Sequence, residues 1–288
     1  MKVYISLLWI AVLLFSCSSK ERNEQEVTKI INNVIPFEYG GENTKHILFD
    51  SFINDSILVK IFFDTGVVDT KILISDSLKN RLDTTAFLRI GNLGKLVDLW
   101  FMDKDYPFFE IFGSNAVLVG WRFFEDTIIE ISYHDKCLKI LPELPESLDD
   151  YKSIKLYKND LGFLLVPMIA YIQGKQIKKG VLIDTGSDGS LALSFKDAVK
   201  NQLNMDSARV QTSYGITDSI KSYSLKTDSI AILLDRNTEI TGYTIANGIN
   251  ASFVDVDRNV AMLGNSFLEN FELILDLKDY YLYLKPRK

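Results

Sequence analysis

Short apolar runs separated by polar turn residues recur through most of this chain, the pattern of strands and hairpins rather than of helices. Ile61-Phe62-Phe63 and Val181-Leu182-Ile183 are two such runs, and each ends in the same triplet, Asp64-Thr65-Gly66 and Asp184-Thr185-Gly186. After each triplet a short polar turn leads into another apolar strand closing on serine, Ser75 in one case and Ser194 in the other. Taken singly, either triplet reads as a turn closing a hairpin, since Asp, Thr and Gly are ordinary turn residues.

A second pair of segments ties the triplets into a longer repeat. Leu118-Val119-Gly120-Trp121-Arg122-Phe123-Phe124-Glu125 aligns with Met262-Leu263-Gly264-Asn265-Ser266-Phe267-Leu268-Glu269. From Gly120 to Pro142 and from Gly264 to Pro286 the spacing is the same, 22 residues. Strands are expected in those windows at 128–131, 137–141, 273–277 and 280–284, with turns at Tyr133-His134-Asp135-Lys136 and Lys278-Asp279. Self-similarity of this kind outranks a single motif and predicts a duplicated β-rich lobe. The halves are unequal: Asp64 to Gly120 spans 56 residues and Asp184 to Gly264 spans 80. The longer middle is expected to hold a helix at 194–203 and a polar hairpin at 212–217. Gly91-Asn92-Leu93-Gly94, followed by 96–102, is the turn matched to that hairpin in the first half.

With apolar-Asp-Thr-Gly and then apolar-apolar-Gly occurring twice and in order, the chain resembles the aspartic peptidase superfamily over nearly all of its length beyond about residue 40. In size it is most similar to bacterial aspartyl-protease-like lipoproteins with retropepsin-type lobes. The resemblance implies a mainly β, two-lobed pepsin-like or retropepsin-like β-barrel fold with internal duplication. It also implies that Asp64 and Asp184 form the catalytic pair, and that Thr65 and Thr185 brace the two turns against each other. Gly66 and Gly186 would permit the close backbone approach there, while Gly120 and Gly264 lie in the supporting loops. Two neighbouring carboxyls cannot both ionise freely, so such a pair shares a proton, and one member can activate water while the other polarises a carbonyl. Ser187 follows the family pattern after the second Gly; Val67, after the first, departs from it and brings no hydroxyl. Tyr214, near the tip of the polar hairpin, is the candidate flap residue. The implied activity is peptide-bond hydrolysis without a cofactor, the substrate lying between the lobes. A non-catalytic relative that binds peptides or partner proteins in the same cleft is the alternative, motivated by Val67.

The amino terminus adds a compartment. Met1-Lys2 precedes an apolar stretch from Val3 to Phe15, too short to span a bilayer as a helix and suited to a signal-peptide core. Leu14-Phe15-Ser16-Cys17 resembles a bacterial lipobox, which implies lipidation of Cys17 and anchoring without spanning. The absence of Asp after Cys17 favours the outer membrane of the cell envelope. The expected organisation is a signal peptide at 1–16, a lipidated tether at 17–35, a first lobe at 36–142, a linker at 143–152 and a second lobe at 153–288. Carrying both halves in one chain, the protein is expected to be a monomer.

Composition narrows the chemistry further. There are two histidines, His46 and His134, and beyond Cys17 only one cysteine, Cys137, so the ligands for a zinc site or a Cys-His or Ser-His-Asp arrangement are lacking. A net charge of −6 with no basic cluster argues against nucleic-acid binding. Cys137, in an apolar strand, reads as a buried packing residue.

Overall fold

The computed structural model describes residues 33–41, 44–74, 82–101, 115–214, 219–237, 241–246, 248–255 and 261–287. The expected signal peptide, Cys17 and most of the tether lie outside the described residues. In the first half the strands are β1 (Val34–Pro36), β2 (Glu38–Gly41), β3 (Thr44–Ile53), β4 (Ile57–Asp64) and β5 (Lys71–Ile74). They continue with β6 (Thr85–Ile90), β7 (Leu93–Phe101), β8 (Asn115–Gly120), β9 (Ile128–Ser132) and β10 (Cys137–Leu141). The second half opens with β11 (Lys152–Lys155), β12 (Tyr157–Lys158), β13 (Leu164–Ile172), β14 (Lys175–Ile183) and β15 (Leu191–Ser194). Next come helix α1 (Phe195–Lys200) and strands β16 (Arg209–Tyr214), β17 (Ser219–Lys226), β18 (Ser229–Leu233) and β19 (Thr241–Ala246). The chain closes with β20 (Asn250–Val254), β21 (Met262–Leu263), helix α2 (Asn265–Leu268), β22 (Phe271–Asp276) and β23 (Tyr281–Pro286). A single 3-10 turn, Trp121–Phe124, occupies the place of α2 in the first half.

The architecture is the mainly β, two-lobed, duplicated one expected. Each lobe has its own sheet, and a third, six-stranded antiparallel sheet in the order β1-β10-β9-β22-β23-β11 joins them. Its register exposes a pseudo-twofold axis. Glu130 and Ile274, each ten residues past its glycine, face one another. On either side Ile131 pairs with Leu273 and Ile129 with Leu275, so each half contributes equivalent residues to the other. That is the self-complementary pairing of a twofold interface, written here within one chain. Strand β1 starts at Val34 and pairs with β10, so the chain joins this sheet ahead of residue 36.

The lobes also share their internal topology. β4 runs parallel to β8, with Asp64 opposite Gly120, and β14 runs parallel to β21, with Ile183 opposite Leu263. β5 is antiparallel to β8 and parallel to β7; β15 is antiparallel to β21 and parallel to β20. β6 pairs with β3 and thereby closes the first lobe's sheet on itself, as β18 pairs with β13. The β6–β7 hairpin, which turns at Gly91, is therefore the counterpart of β18–β19. The match of Gly91 to the hairpin at 212–217 is corrected, because β16–β17 stands apart, pairing through β17 with β20. Among the described residues the first lobe has no equivalent hairpin, and much of the second lobe's extra length goes there.

Helix α1 is shorter than the expected 194–203. Ser194 caps it, its Oγ accepting from Lys196 N at 3.2 Å, and it ends at Asn201, after which Gln202 adopts a positive φ of 51°. Inward positions alternate along β3 and β4: Ile47 faces Phe63 and Phe49 faces Ile61, and these four are buried with Ile53 and Val59 on the same side. The largest fully buried side chain is Trp121. It meets the other lobe, with the Lys158 ammonium 4.8 Å from its ring and the Tyr280 ring edge-on at 6.4 Å. Trp121→Ala is expected to cost about 3–5 kcal/mol, measured as a shifted midpoint in chemical denaturation, because a fully buried indole is removed from the core.

Candidate active site

Each Asp-Thr-Gly triplet begins where an apolar strand, β4 or β14, runs out into a turn. Gly66 N donates to Asp64 Oδ1 at 2.8 Å, and Gly186 N donates to Asp184 Oδ1 at 2.9 Å, so each turn folds its backbone onto its own carboxyl. The N–H groups of Val67 and Ser187 close each turn on the main chain, donating to the backbone carbonyls of Asp64 and Asp184 at 3.2 and 3.3 Å. Val67 lacks the hydroxyl of Ser187 yet performs the same backbone function. The departure from the family pattern thus changes a side chain and leaves the turn intact.

The threonines cross between lobes. Thr65 Oγ1 donates to Ile183 O at 2.6 Å and accepts from Thr185 N at 3.0 Å. Thr185 Oγ1 donates to Phe63 O at 2.9 Å and accepts from Thr65 N at 3.0 Å. All four bonds are buried, and each hydroxyl uses both its donor and its acceptor capacity on the opposite turn. Glycine is required beside them. A Cβ on Gly66 would lie 2.6 Å from Asp184 Cγ, and one on Gly186 would run into the Asp64 carboxyl.

This lock sets each carboxyl against the opposite turn, Asp184 beside Gly66 and Asp64 beside Gly186, so that the two carboxyls interact directly. Burial pushes both carboxyls above their ordinary range, and for Asp64 the charge of Asp184 and the bond to it add to that rise. The backbone N–H groups oppose the shift on both sides without reversing it. The pair therefore titrates as a unit that retains one proton where two isolated carboxyls would hold none. Chemically this supplies a carboxylate and a carboxylic acid side by side.

Behind each turn sits the loop opened by Gly120 or Gly264. Trp121 N and Arg122 N donate to the carbonyls of Val67 and Val68, each at 3.1 Å, and Asn265 N donates to Ser187 O at 2.7 Å. A Cβ on Gly120 would lie 2.6 to 2.8 Å from the carbonyl oxygens of Val67, Val68 and Asp69, which leaves room for glycine alone. Ser187 Oγ faces Gly264, where an added Cβ would lie 2.9 Å away.

Asn265 was not singled out by the sequence. Fully buried, it donates from Nδ2 to Thr185 O at 2.6 Å and to Lys45 O at 2.8 Å, and accepts from Tyr133 OH at 2.8 Å. One amide thus ties the second Asp-Thr-Gly turn to two segments of the first lobe. Lys45 N and His46 Nδ1 reach Asp188 Oδ1 at 2.6 and 3.1 Å. Lys45 also pairs with Glu269, and Lys158 with Glu125 at 3.2 Å, so equivalent glutamates each hold a lysine of the opposite lobe. Tyr214 ends β16 opposite Ser219; its side chain and the hairpin tip at 215–218 lie outside the described residues. His134 lies in the β9–β10 turn, away from the paired carboxyls, and Cys137 is buried beside it in the sheet. Among the described residues no group of three or more His, Cys, Asp or Glu side chains could hold a metal ion.

Two outcomes follow for stability. Asn265→Ala leaves three buried partners unsatisfied and is expected to cost on the order of 3 kcal/mol, read in denaturant melts. Asp184→Asn acts in the opposite sense. A carboxyl pair with raised native pKa values favours the folded state below the unfolded value of about 3.9 and loses that advantage as pH rises. Removing one ionisable group should raise the melting temperature at pH 7 by about 2–4 °C. The gain should vanish near pH 3, in thermal scans across that range.

No protein-family model and no curated protein matches the chain. Among solved structures it is similar to a retropepsin-like aspartic protease from Rickettsia conorii. That match has 20% identity and a TM-score of 0.35, covering 46% of this chain and 90% of that one.

Proposed function

We propose that the protein is an aspartic endopeptidase of the bacterial cell envelope, anchored through a lipidated Cys17, whose Asp64–Asp184 pair activates water. The observation that supports this reading is the pair of facing carboxyls, buried and held by four threonine hydrogen bonds. A substrate peptide would lie extended between the lobes and pair with the β16–β17 hairpin by strand addition. The ionised carboxylate takes a proton from a water molecule as its oxygen bonds to the scissile carbonyl carbon. The protonated partner donates to the carbonyl oxygen, giving a tetrahedral diol. Collapse of the diol returns a proton to the departing amine, and neither carboxyl forms a covalent bond to substrate. No metal or cofactor is needed for any step.

Casein or a peptide library incubated with the purified protein tests this directly. Cleavage should be blocked by a statine-type inhibitor and fall by a factor of about 10³ or more in Asp64→Ala and in Asp184→Ala. The pH profile should be bell-shaped, because activity needs one proton on the pair: it rises as the first carboxyl ionises and falls as the second does. Since burial raises both groups, the basic limb should lie above the ordinary carboxylate range. Absence of cleavage at every pH by a folded protein would sink the enzyme reading in favour of a peptide-binding relative. Val67 is the one feature favouring that second reading, and Val67→Ser separates the two. A gain of cleavage from an inert parent would identify Val67 as the block, whereas an already active parent needs no such repair.

A further inference from the structure

The outer surface of the first lobe carries an apolar face that the proposed chemistry does not use. Phe52 pairs across strands with Leu58 on one side and Arg89 on the other, and Phe87 pairs with Leu96. Paired residues share a face, and along β7 alternation adds Asp98 and Trp100 to the same side as Leu96. Leu58, Leu96 and Trp100 are 54, 74 and 56% exposed. Single exposed apolar residues are commonplace, but neighbours in one register form a patch. Cations attend its aromatic rings: Arg89 lies 5.3 Å from the Phe87 ring, and Lys71 Nζ lies 4.4 Å from the Trp100 ring.

The chain reaches the fold beside this face. Asn33 and Ile35 lie against the β6–β7 turn, where a Cβ on Gly91 would sit 3.7 Å from Asn33 Oδ1 and 3.5 Å from Ile35 Cδ1. Only residues 18–32, fifteen in number, separate that point from Cys17. Even fully extended, a chain of fifteen residues reaches only about 50 Å. A lipid on Cys17 would therefore keep the β6–β7 turn within about 50 Å of the bilayer.

We propose that this face rests on the phospholipid surface, with Leu58, Phe87 and Leu96 at the acyl boundary and Trp100 at headgroup level. The inference rests on the reading of Cys17 as a lipid anchor. Aromatic residues flanked by Lys and Arg suit the membrane interface, where each finds an apolar layer and a polar one. Asp98 shares the face and the chain carries a net charge of −6, so the contact is apolar rather than a basic patch drawn to anionic lipid. It should accordingly form on zwitterionic bilayers and persist at high salt.

The two tryptophans of the mature chain make the test direct, since Trp9 precedes Cys17 and Trp121 is fully buried. The lipidated protein is reconstituted into phosphatidylcholine vesicles with or without bromine on the acyl chains, and tryptophan emission is compared. Quenching by the brominated lipid that disappears in Trp100→Phe, weakens in Leu96→Ser and survives 1 M salt is the expected result, at a salt level where the screening length is about 3 Å. Co-flotation reports the anchor and quenching reports the face, so the two readings fail separately. Protein that floats with the vesicles but shows equal emission in both lipids overturns the proposal while leaving the anchor standing. Protein that does not float removes the anchor and the proposal with it. A dimer seen in sedimentation and dissolved by Leu96→Ser would assign the face to a second copy instead.

Discussion

Everything at the centre of this molecule depends on keeping two carboxyl groups together where little solvent reaches them. Left alone, the side chains of Asp64 and Asp184 would separate or hydrate. Burial raises both pKa values, and a second negative charge beside the first is unfavourable in a medium of low dielectric. The fold overcomes this with backbone geometry. Each threonine hydroxyl spends its donor and its acceptor on the opposite turn, so neither lobe can move without breaking buried hydrogen bonds that have no water to replace them. The carboxyls are thereby held against each other's turns, and one retained proton relieves their repulsion.

The lock at the turns is reinforced at a second level. The six-stranded sheet places β9 against β22 about the same pseudo-twofold axis, so a sliding motion between the lobes would break its register as well as the threonine bonds. A one-residue slip would send Ile129, Ile131, Leu273 and Leu275, all buried, to the opposite face. Glu125 and Glu269, equivalent residues at the ends of the two short helical turns, add a lysine contact from the opposite lobe on each flank. The duplication visible in the sequence is therefore more than a record of ancestry: it supplies matched contacts on both sides of one axis.

Much of this could be read from the chain because it is encoded locally. Apolar strand, Asp-Thr-Gly and apolar-apolar-Gly are short patterns whose chemistry requires those residue types, and the common 22-residue spacing after Gly120 and Gly264 follows from one hairpin length used twice. What escaped depends on tertiary pairing. The turn at Gly91 resembles any other polar turn, and only the pairing of β6 with β3 shows that it matches β18–β19 rather than the β16–β17 hairpin. Asn265 escaped for a similar reason. An Asn following Gly at the start of a short helix reads as a local cap, whereas its three partners lie 80, 132 and 220 residues away in sequence. The signal that was available is the contrast between the halves, where the equivalent position holds the indole of Trp121.

That contrast bears on the chemistry. Around Asp64 the following residue is Val67 and the supporting loop begins with Trp121, whose indole Nε1 is buried without a hydrogen-bond partner. Around Asp184 the same places hold Ser187 and Asn265, the latter with its amide fully engaged. The backbone donors to the two carboxyls are equivalent, so the difference lies in the polarity of what stands behind them. An apolar setting favours the neutral form of an acid, and a polar one tolerates the charge. Burial raises both carboxyls, and the proton they share is a property of the pair. Two separate but identical chains would give both carboxyls the same surroundings. Fusing the halves into one chain allows each carboxyl its own environment.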